Sequence, residues 1–164
     1  MNVVILGATK GMGRALARLC AERGDRVFLL GRDATDLTRS AADLVVRGGQ
    51  GAVAGTARCD LEQSDTFDPA LADAQHALGQ IDAVVVTAGL FGTQEELEAD
   101  PARTERLLHV NFVATVMFCE AARKLLLSQG GGTLCVFGSV AGDRARKPVV
   151  LYGASKAGLA AYLN

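Results

Sequence analysis

A doubly wound α/β fold around a parallel sheet is what this sequence predicts, and three observations predict it. Short apolar runs closed by glycine alternate with stretches of helical periodicity. The run Ile81 to Thr87 is β-branched in character without apolar-polar alternation through its centre, and a glycine-rich turn separates the first strand from the first helix. Strands that alternate with helices feed right-handed crossovers into one sheet. A strand apolar on both faces belongs in a parallel sheet that helices cover on both sides.

The elements follow in order. Val3 to Leu6 reads as the first strand, ended by Gly7, and Gly11 to Arg23 as the first helix, with Met12, Ala15, Leu16, Leu19 and Cys20 at helical spacing. Val27 to Leu30 is a second buried strand closed by Gly31. Asp33 then supplies the short acceptor that satisfies free amides at a helix start, and that helix runs to about Arg47. Gly51 to Cys59 is a glycine-interrupted third strand, after which Ser64 or Asp65 opens a helix reaching Leu78. Beyond the fourth strand, Ile81 to Thr87, Asp100 and Pro101 start a long helix that ends near Ser128. Its apolar residues occupy nearly every side, with Leu107, Val110, Ala114, Met117 and Ala121 on one and Leu108, Phe112, Cys119 and Leu126 on others. Such a helix is buried or shared with a second subunit. The turn Gly130-Gly131-Gly132 leads to a fifth strand, Thr133 to Phe137, and a last helix carries Tyr152 onward.

Length and composition bound the function classes. A chain of 164 residues with 49% hydrophobic content suffices for one domain, residues 1–164, with a substantial core. A formal net charge of -1 argues against nucleic acid or an anionic membrane as partner. Cys20, Cys59, Cys119 and Cys135 are scattered without a C-x-x-C pair, so they read as reduced core residues rather than zinc ligands or disulfides. His76 and His109 stand alone and read as structural, so no metal is expected. The start, Met1 to Gly7, has neither a charged leader nor a membrane-spanning run, which makes the cytoplasm the default location.

The chemistry gathers at two places. Gly7-Ala8-Thr9-Lys10-Gly11-Met12-Gly13 lies between strand and helix, where backbone amides and the helix dipole receive a dinucleotide pyrophosphate. Its spacing is G-x-x-x-G-x-G, and a glycine-rich turn of some other doubly wound protein would also fit. The second strand ends without an acidic residue to grip a ribose 2′-hydroxyl. Arg32, joined by Lys10, instead suits a 2′-phosphate through charge-assisted bonds, which favours NADP(H) over NAD(H); the alternative is that both are ordinary surface charges. Asp60, with Leu61 beside it, follows the third strand, where it either binds an adenine edge or caps the next turn. Ala88 and Gly89, after Thr87, allow close approach of a cofactor or simply form a strand-ending turn.

The second place is the run Tyr152-Gly153-Ala154-Ser155-Lys156. An i to i+4 spacing puts Tyr152 and Lys156 on one helix face, and a fixed ammonium nearby favours a phenolate. The pair alone also occurs by chance on any helix surface.

Taken together, the G-x-x-x-G-x-G turn, Asp60, Thr87-Ala88-Gly89, Asn111, Ser139 and the Tyr152/Lys156 pair resemble the short-chain dehydrogenase/reductase family in its single-domain branch. The resemblance implies a Rossmann-like fold and an oxidoreductase that moves hydride between nicotinamide and a carbonyl or alcohol. It implies that Tyr152 is the general acid/base and that Lys156 lowers its pKa and binds the nicotinamide ribose. It further implies that Ser139 orients the substrate carbonyl and that Asn111 helps hold a proton relay. It also implies a homodimer or homotetramer. Family members usually have asparagine where this chain has Thr87, which puts one backbone-stabilising contact in question. They also continue past the Tyr152 helix with further strands, so the C-terminal strands are expected to be missing and the chain to be part of a longer enzyme. The basic run Gly142-Asp143-Arg144-Ala145-Arg146-Lys147 suits an anionic or phosphorylated substrate, or is a solvated loop. Residues 89–97 and 141–159 are similar to the decaprenylphosphoryl-2-keto-ribose reductases. A reading from another class is a non-catalytic nucleotide-binding or signalling domain on the same fold.

Overall fold

The computed structural model describes residues 1–164. Five parallel strands form one sheet in the order β3-β2-β1-β4-β5, with β1 Asn2–Leu6, β2 Arg26–Gly31, β3 Val53–Arg58, β4 Ala83–Val86 and β5 Thr133–Val136. In-register pairs such as Val4↔Phe28 and Val4↔Val84 make β1 the centre. Alternate strand residues serve two separate cores. Val4, Leu6, Phe28, Leu30, Val84 and Val86 pack under the helices α3, Phe67–Leu78, and α6, Thr115–Ser128. Val3, Ile5, Val27, Leu29, Ala83 and Val85 pack under α1, Gly11–Arg23, and α2, Ala34–Gly48. Burial on both faces is the physical reason that the strands are apolar without alternation.

Local chemistry explains the element ends. Asp33 caps α2, its carboxylate accepting from the Asp36 amide at 2.8 Å. Gly55, the glycine that interrupts β3, leaves room for the Phe28 ring, whose Cε2 would stand 2.6 Å from an added Cβ. Asp100 caps α5, Pro101–Leu108, with proline in its first turn as the sequence predicts. A short helix not foreseen from periodicity, α4 at Gln94–Ala99, begins with a reciprocal capping box between Thr93 and Glu96.

The long helix expected from Asp100 to Ser128 is not uniform. His109–Ala114 form a π-helical turn between α5 and α6, and the Thr115 hydroxyl donates to the Val110 carbonyl at 2.8 Å beneath it. Its apolar surface is also split. Val110, Ala114, Phe118, Cys119, Ala122 and Leu126 are buried, whereas Val113 and Met117 are exposed. After β5, which forms the sheet edge, come α7, Val140–Asp143, and α8, Val150–Leu163. No helix is long and apolar enough to cross a membrane.

Candidate functional site

A crevice of about 480 Å³ opens at the C-terminal edge of the sheet, where the strand order reverses between β1 and β4. An open parallel sheet diverges at such a point and leaves space above the strand ends. The turns that follow β1, β2, β3 and β4 all reach it. Gly7, Thr9, Lys10, Gly11, Met12 and Gly13 come from the first, Arg32 from the second, Asp60 and Leu61 from the third, and Ala88 and Gly89 from the fourth. Sequence reasoning did not assign Asp36, Cys59, Glu62, Leu90 or Val110 to the site, and they line it as well. They carry no motif, and only the folding of four loops onto one edge brings them in.

The glycine turn is tight. An added Cβ at Gly13 would run into the Gly7 carbonyl oxygen and the Thr87 hydroxyl. Thr87, where this chain departs from the family's asparagine, itself ties the turn to β4. Its hydroxyl donates to the carbonyls of Leu6 at 3.1 Å and Gly7 at 3.2 Å. Lys10 precedes α1 without offering a side-chain cap, and the first turn of α1 has no acidic residue. The leading amides and the positive end of the helix dipole therefore face the crevice unneutralised, an arrangement suited to an anion.

Charges on the rim are partly paired. Lys10 reaches Asp36 at 3.0 Å, and the Arg32 guanidinium stands 4.0 Å from Glu62. Glu62 is held mainly by Arg106, which donates to both carboxylate oxygens at 2.7 and 2.6 Å. Those bonds keep the Glu62 carboxyl below its ordinary range. Asp60 caps the turn after β3, accepting from the Glu62 amide at 3.1 Å, and its other oxygen lies 3.5 Å from Arg58.

Asn111, Ser139, Tyr152 and Lys156 do not line the crevice; two of them approach Gly89, which does. Asn111 is buried in the π-helical turn and grips Leu90 at both backbone groups. Its Oδ1 accepts from the Leu90 amide at 2.7 Å, and its Nδ2 donates to the Leu90 carbonyl at 2.8 Å. An extra turn residue in a helix re-aims side chains, and π turns recur at functional sites for that reason. Lys156 is buried too, its ammonium donating to the Phe137 carbonyl at 3.1 Å, and burial pushes its pKa down. A Cβ added to Gly89 would stand 3.2 Å from Asn111 Oδ1 and 3.7 Å from Lys156 Nζ, so both groups converge on the backbone that walls the crevice.

Ser139 caps α7, its hydroxyl accepting from the Ala141 amide at 3.2 Å. Tyr152 is half-buried, and its ring stands edge-on to Phe91 at a centroid distance of 5.1 Å and 70°. Its hydroxyl has no hydrogen-bond partner in the chain, so the structure joins it to neither Lys156 nor Ser139. Phe91 and Gln94 were missed from sequence. The signal for their placement was Thr93-x-x-Glu96, a capping box that announces a helix start.

Known proteins resemble this chain in sequence and fold. The family model described as short chain dehydrogenase matches residues 1–164. An uncharacterised oxidoreductase of Streptomyces coelicolor is 34% identical over 98% of this chain and 63% of its own length. Carbonyl reductase family member 4 of Xenopus tropicalis is 28% identical over 94% of this chain and 63% of its own. The crystal structure of a short-chain type dehydrogenase/reductase from Mycobacterium marinum superposes with a TM-score of 0.85 at 29% identity, covering 96% of this chain and 64% of that one. This chain thus spans somewhat under two thirds of the length of these relatives.

Proposed function

The chain belongs to the short-chain dehydrogenase family, and on that premise we propose that it serves an NADP-dependent oxidoreductase acting on a carbonyl or alcohol substrate. The observation that carries the proposal is the approach of both Lys156 and Asn111 to Gly89, at the wall of a crevice whose other end is an uncapped helix start. The residues fit a dinucleotide: the cradle that a Cβ at Gly13 would fill and the free amides of α1 suit the pyrophosphate, and Asp60 with Leu61 suits the adenine end. When bound, the nicotinamide gives or takes the hydride.

The chain's own residues handle the proton and the orientation. Tyr152 donates a proton to the carbonyl oxygen in reduction and takes it back in oxidation, and its hydroxyl is free for that partner. Ser139 shares in holding the same oxygen. Lys156, one helical turn from Tyr152, holds the Phe137 carbonyl, and Asn111 anchors Leu90 at the crevice wall. Tyr152→Phe is expected to remove most turnover in the complete gene product while leaving NADPH affinity nearly intact. Full activity in that variant would dispose of the mechanism.

The preference for NADP(H) rests on Lys10 and Arg32 at the rim. Their carboxylate pairs are exposed and therefore weak, so a doubly charged 2′-phosphate competes with them effectively. Asp33, the first acidic residue in sequence after the second strand, has its carboxylate engaged as the α2 cap. Arg32→Asp is expected to shift the ratio of kcat/KM values toward NADH, and an unchanged ratio would remove Arg32 from the site.

The substrate class we infer is anionic. Arg144, Arg146 and Lys147 are exposed, have no ion-pair partner, and lie between Ser139 and Tyr152. Carbonyl substrates with and without a phosphate, compared across salt concentration, test this through kcat/KM. The exposed side chains Phe112, Val113 and Met117 along the long helix suit a second copy of the chain, and light scattering checks that. A non-catalytic nucleotide-binding domain is the second reading, favoured by the placement of Tyr152 and Ser139 outside the crevice. Dinucleotide binding without turnover of any carbonyl in the complete gene product would support it.

A further inference from the structure

We propose that Phe91 and Gln94, both on the segment leaving β4, are positioning residues for Tyr152. The inference rests on the catalytic reading of Tyr152 but concerns two side chains to which that reading gives no part. Tyr152 is the third residue of α8, within the first turn, where backbone amides lack helical partners and fraying is easiest. Val149, which precedes the helix, provides no side-chain cap. The need is met from far along the chain: Gln94 Oε1 accepts from the Leu151 amide at 3.1 Å.

The orientation of that amide is fixed at its other end, because Gln94 Nε2 donates to Glu98 Oε1 at 2.8 Å. The helix that carries Gln94 is anchored in turn. The Thr93 amide donates to Glu96 Oε2 at 2.9 Å, and the Glu96 amide donates to the Thr93 hydroxyl at 3.3 Å. Three residues earlier, Phe91 sets the plane of the Tyr152 ring by the edge-on contact. Phe91 belongs to neither core and is 62% exposed, so core packing does not account for its place. One segment therefore fixes Tyr152 twice, the backbone beside it through Gln94 and the ring through Phe91. Its start, Gly89 and Leu90, walls the crevice. The distance between crevice and phenol is thereby set by a stretch of six residues, Gly89 to Gln94.

The experiment uses the full chain and two readouts. In steady-state kinetics, Phe91→Ala and Gln94→Ala are each expected to lower kcat by about tenfold, as misplacement of a reacting group does, with the KM for NADPH changed by less than about twofold. The solvent isotope effect on kcat is expected to rise, because proton transfer becomes the slower step. Phe91→Tyr, and the exchange Gln94→Glu with Glu98→Gln, keep the ring contact and the acceptor-donor pair, and are expected to recover most of the rate. In NMR with ring-labelled tyrosine, the Tyr152 signal, assigned with Tyr152→Phe, is expected to move in Phe91→Ala through the lost ring current and in Gln94→Ala through the released helix start.

If Tyr152→Phe abolishes turnover while the Phe91 and Gln94 variants match the parent, the positioning role is overturned and the catalytic reading stands. A tyrosine signal unmoved in both variants overturns it as well. If Tyr152→Phe keeps full turnover, the catalytic reading falls, and positioning for catalysis falls with it.

Discussion

Replacing Gly13 by alanine probes whether steric closure of the glycine turn builds the crevice. The added methyl would overlap the Gly7 carbonyl oxygen and the Thr87 hydroxyl, and would stand 2.9 Å from the Gly7 carbonyl carbon. Carbon atoms in comfortable contact are about 3.5 Å or more apart. The first turn of α1 must then retreat by some tenths of an ångström, and Thr87 must swing away and give up the bond its hydroxyl hydrogen shares between Leu6 and Gly7. Overpacking costs about 1–3 kcal/mol, and a lost hydrogen bond about 1 kcal/mol more. The sum is about 2–4 kcal/mol, or roughly 5–15 °C in Tm for a chain of this size.

Gly11→Ala is the control. Nothing lies within 4 Å of its added Cβ, but its φ is +52°, in the left-handed region. That conformation costs alanine about 1–2 kcal/mol, of which about 0.4–1 kcal/mol returns through the stiffer unfolded chain. Thermal unfolding followed by circular dichroism separates the two variants, and NADPH titration by fluorescence is expected to show at least about tenfold weaker binding for Gly13→Ala. Equal melting temperatures for Gly11→Ala and Gly13→Ala would refute the argument that contact with Gly7 and Thr87 defines the turn.

Two further outcomes are expected. Lys156→Met should stabilise the chain by about 1 kcal/mol, a few degrees in Tm, while removing turnover, since a buried ammonium is kept for function at a cost in stability. Burial lowers the folded-state pKa of Lys156, so its native penalty is complete below that value and fades as pH rises through it toward the ordinary lysine value. The advantage of the methionine variant should therefore shrink with rising pH in denaturant titrations, and a growing advantage would contradict the sign. A maleimide reagent should label Cys135 alone in the folded 164-residue chain. Cys20, Cys59 and Cys119 are buried, and burial pushes the Cys59 and Cys119 thiols up to about 12. Mass spectrometry counts the adducts, and rapid labelling of a second thiol would count against that packing.

Much of the fold was legible because its signals are local. The β-branched run before Thr87 had to be buried on both faces, Asp33 and Asp100 announced helix starts, and Gly7 through Gly13 stood where a strand hands over to a helix. Gly7, Thr9, Lys10, Gly11, Met12, Gly13, Arg32, Asp60, Leu61, Ala88 and Gly89 line the crevice, because the four turns that carry them all leave the same edge of a parallel sheet, whereas Tyr152 and Lys156 lie outside it. What escaped was non-local or masked by periodicity. The π-helical turn around Asn111 keeps the apolar pattern of an ordinary helix, and nothing in composition marks the extra residue. The partnership of Thr87 with Leu6 and Gly7 joins positions some eighty residues apart.

The amino-acid order by itself determined the strand-helix alternation, the place of the glycine-rich turn and the set of candidate side chains, since each depends on neighbours within one or two turns of chain. Only the tertiary structure decided that Asn111 and Lys156 both approach Gly89 and that Tyr152 leans on Phe91 with a free hydroxyl. Those placements depend on how helices from distant segments settle against the sheet, and packing of that kind is set by the whole set of buried surfaces rather than by any short run of residues.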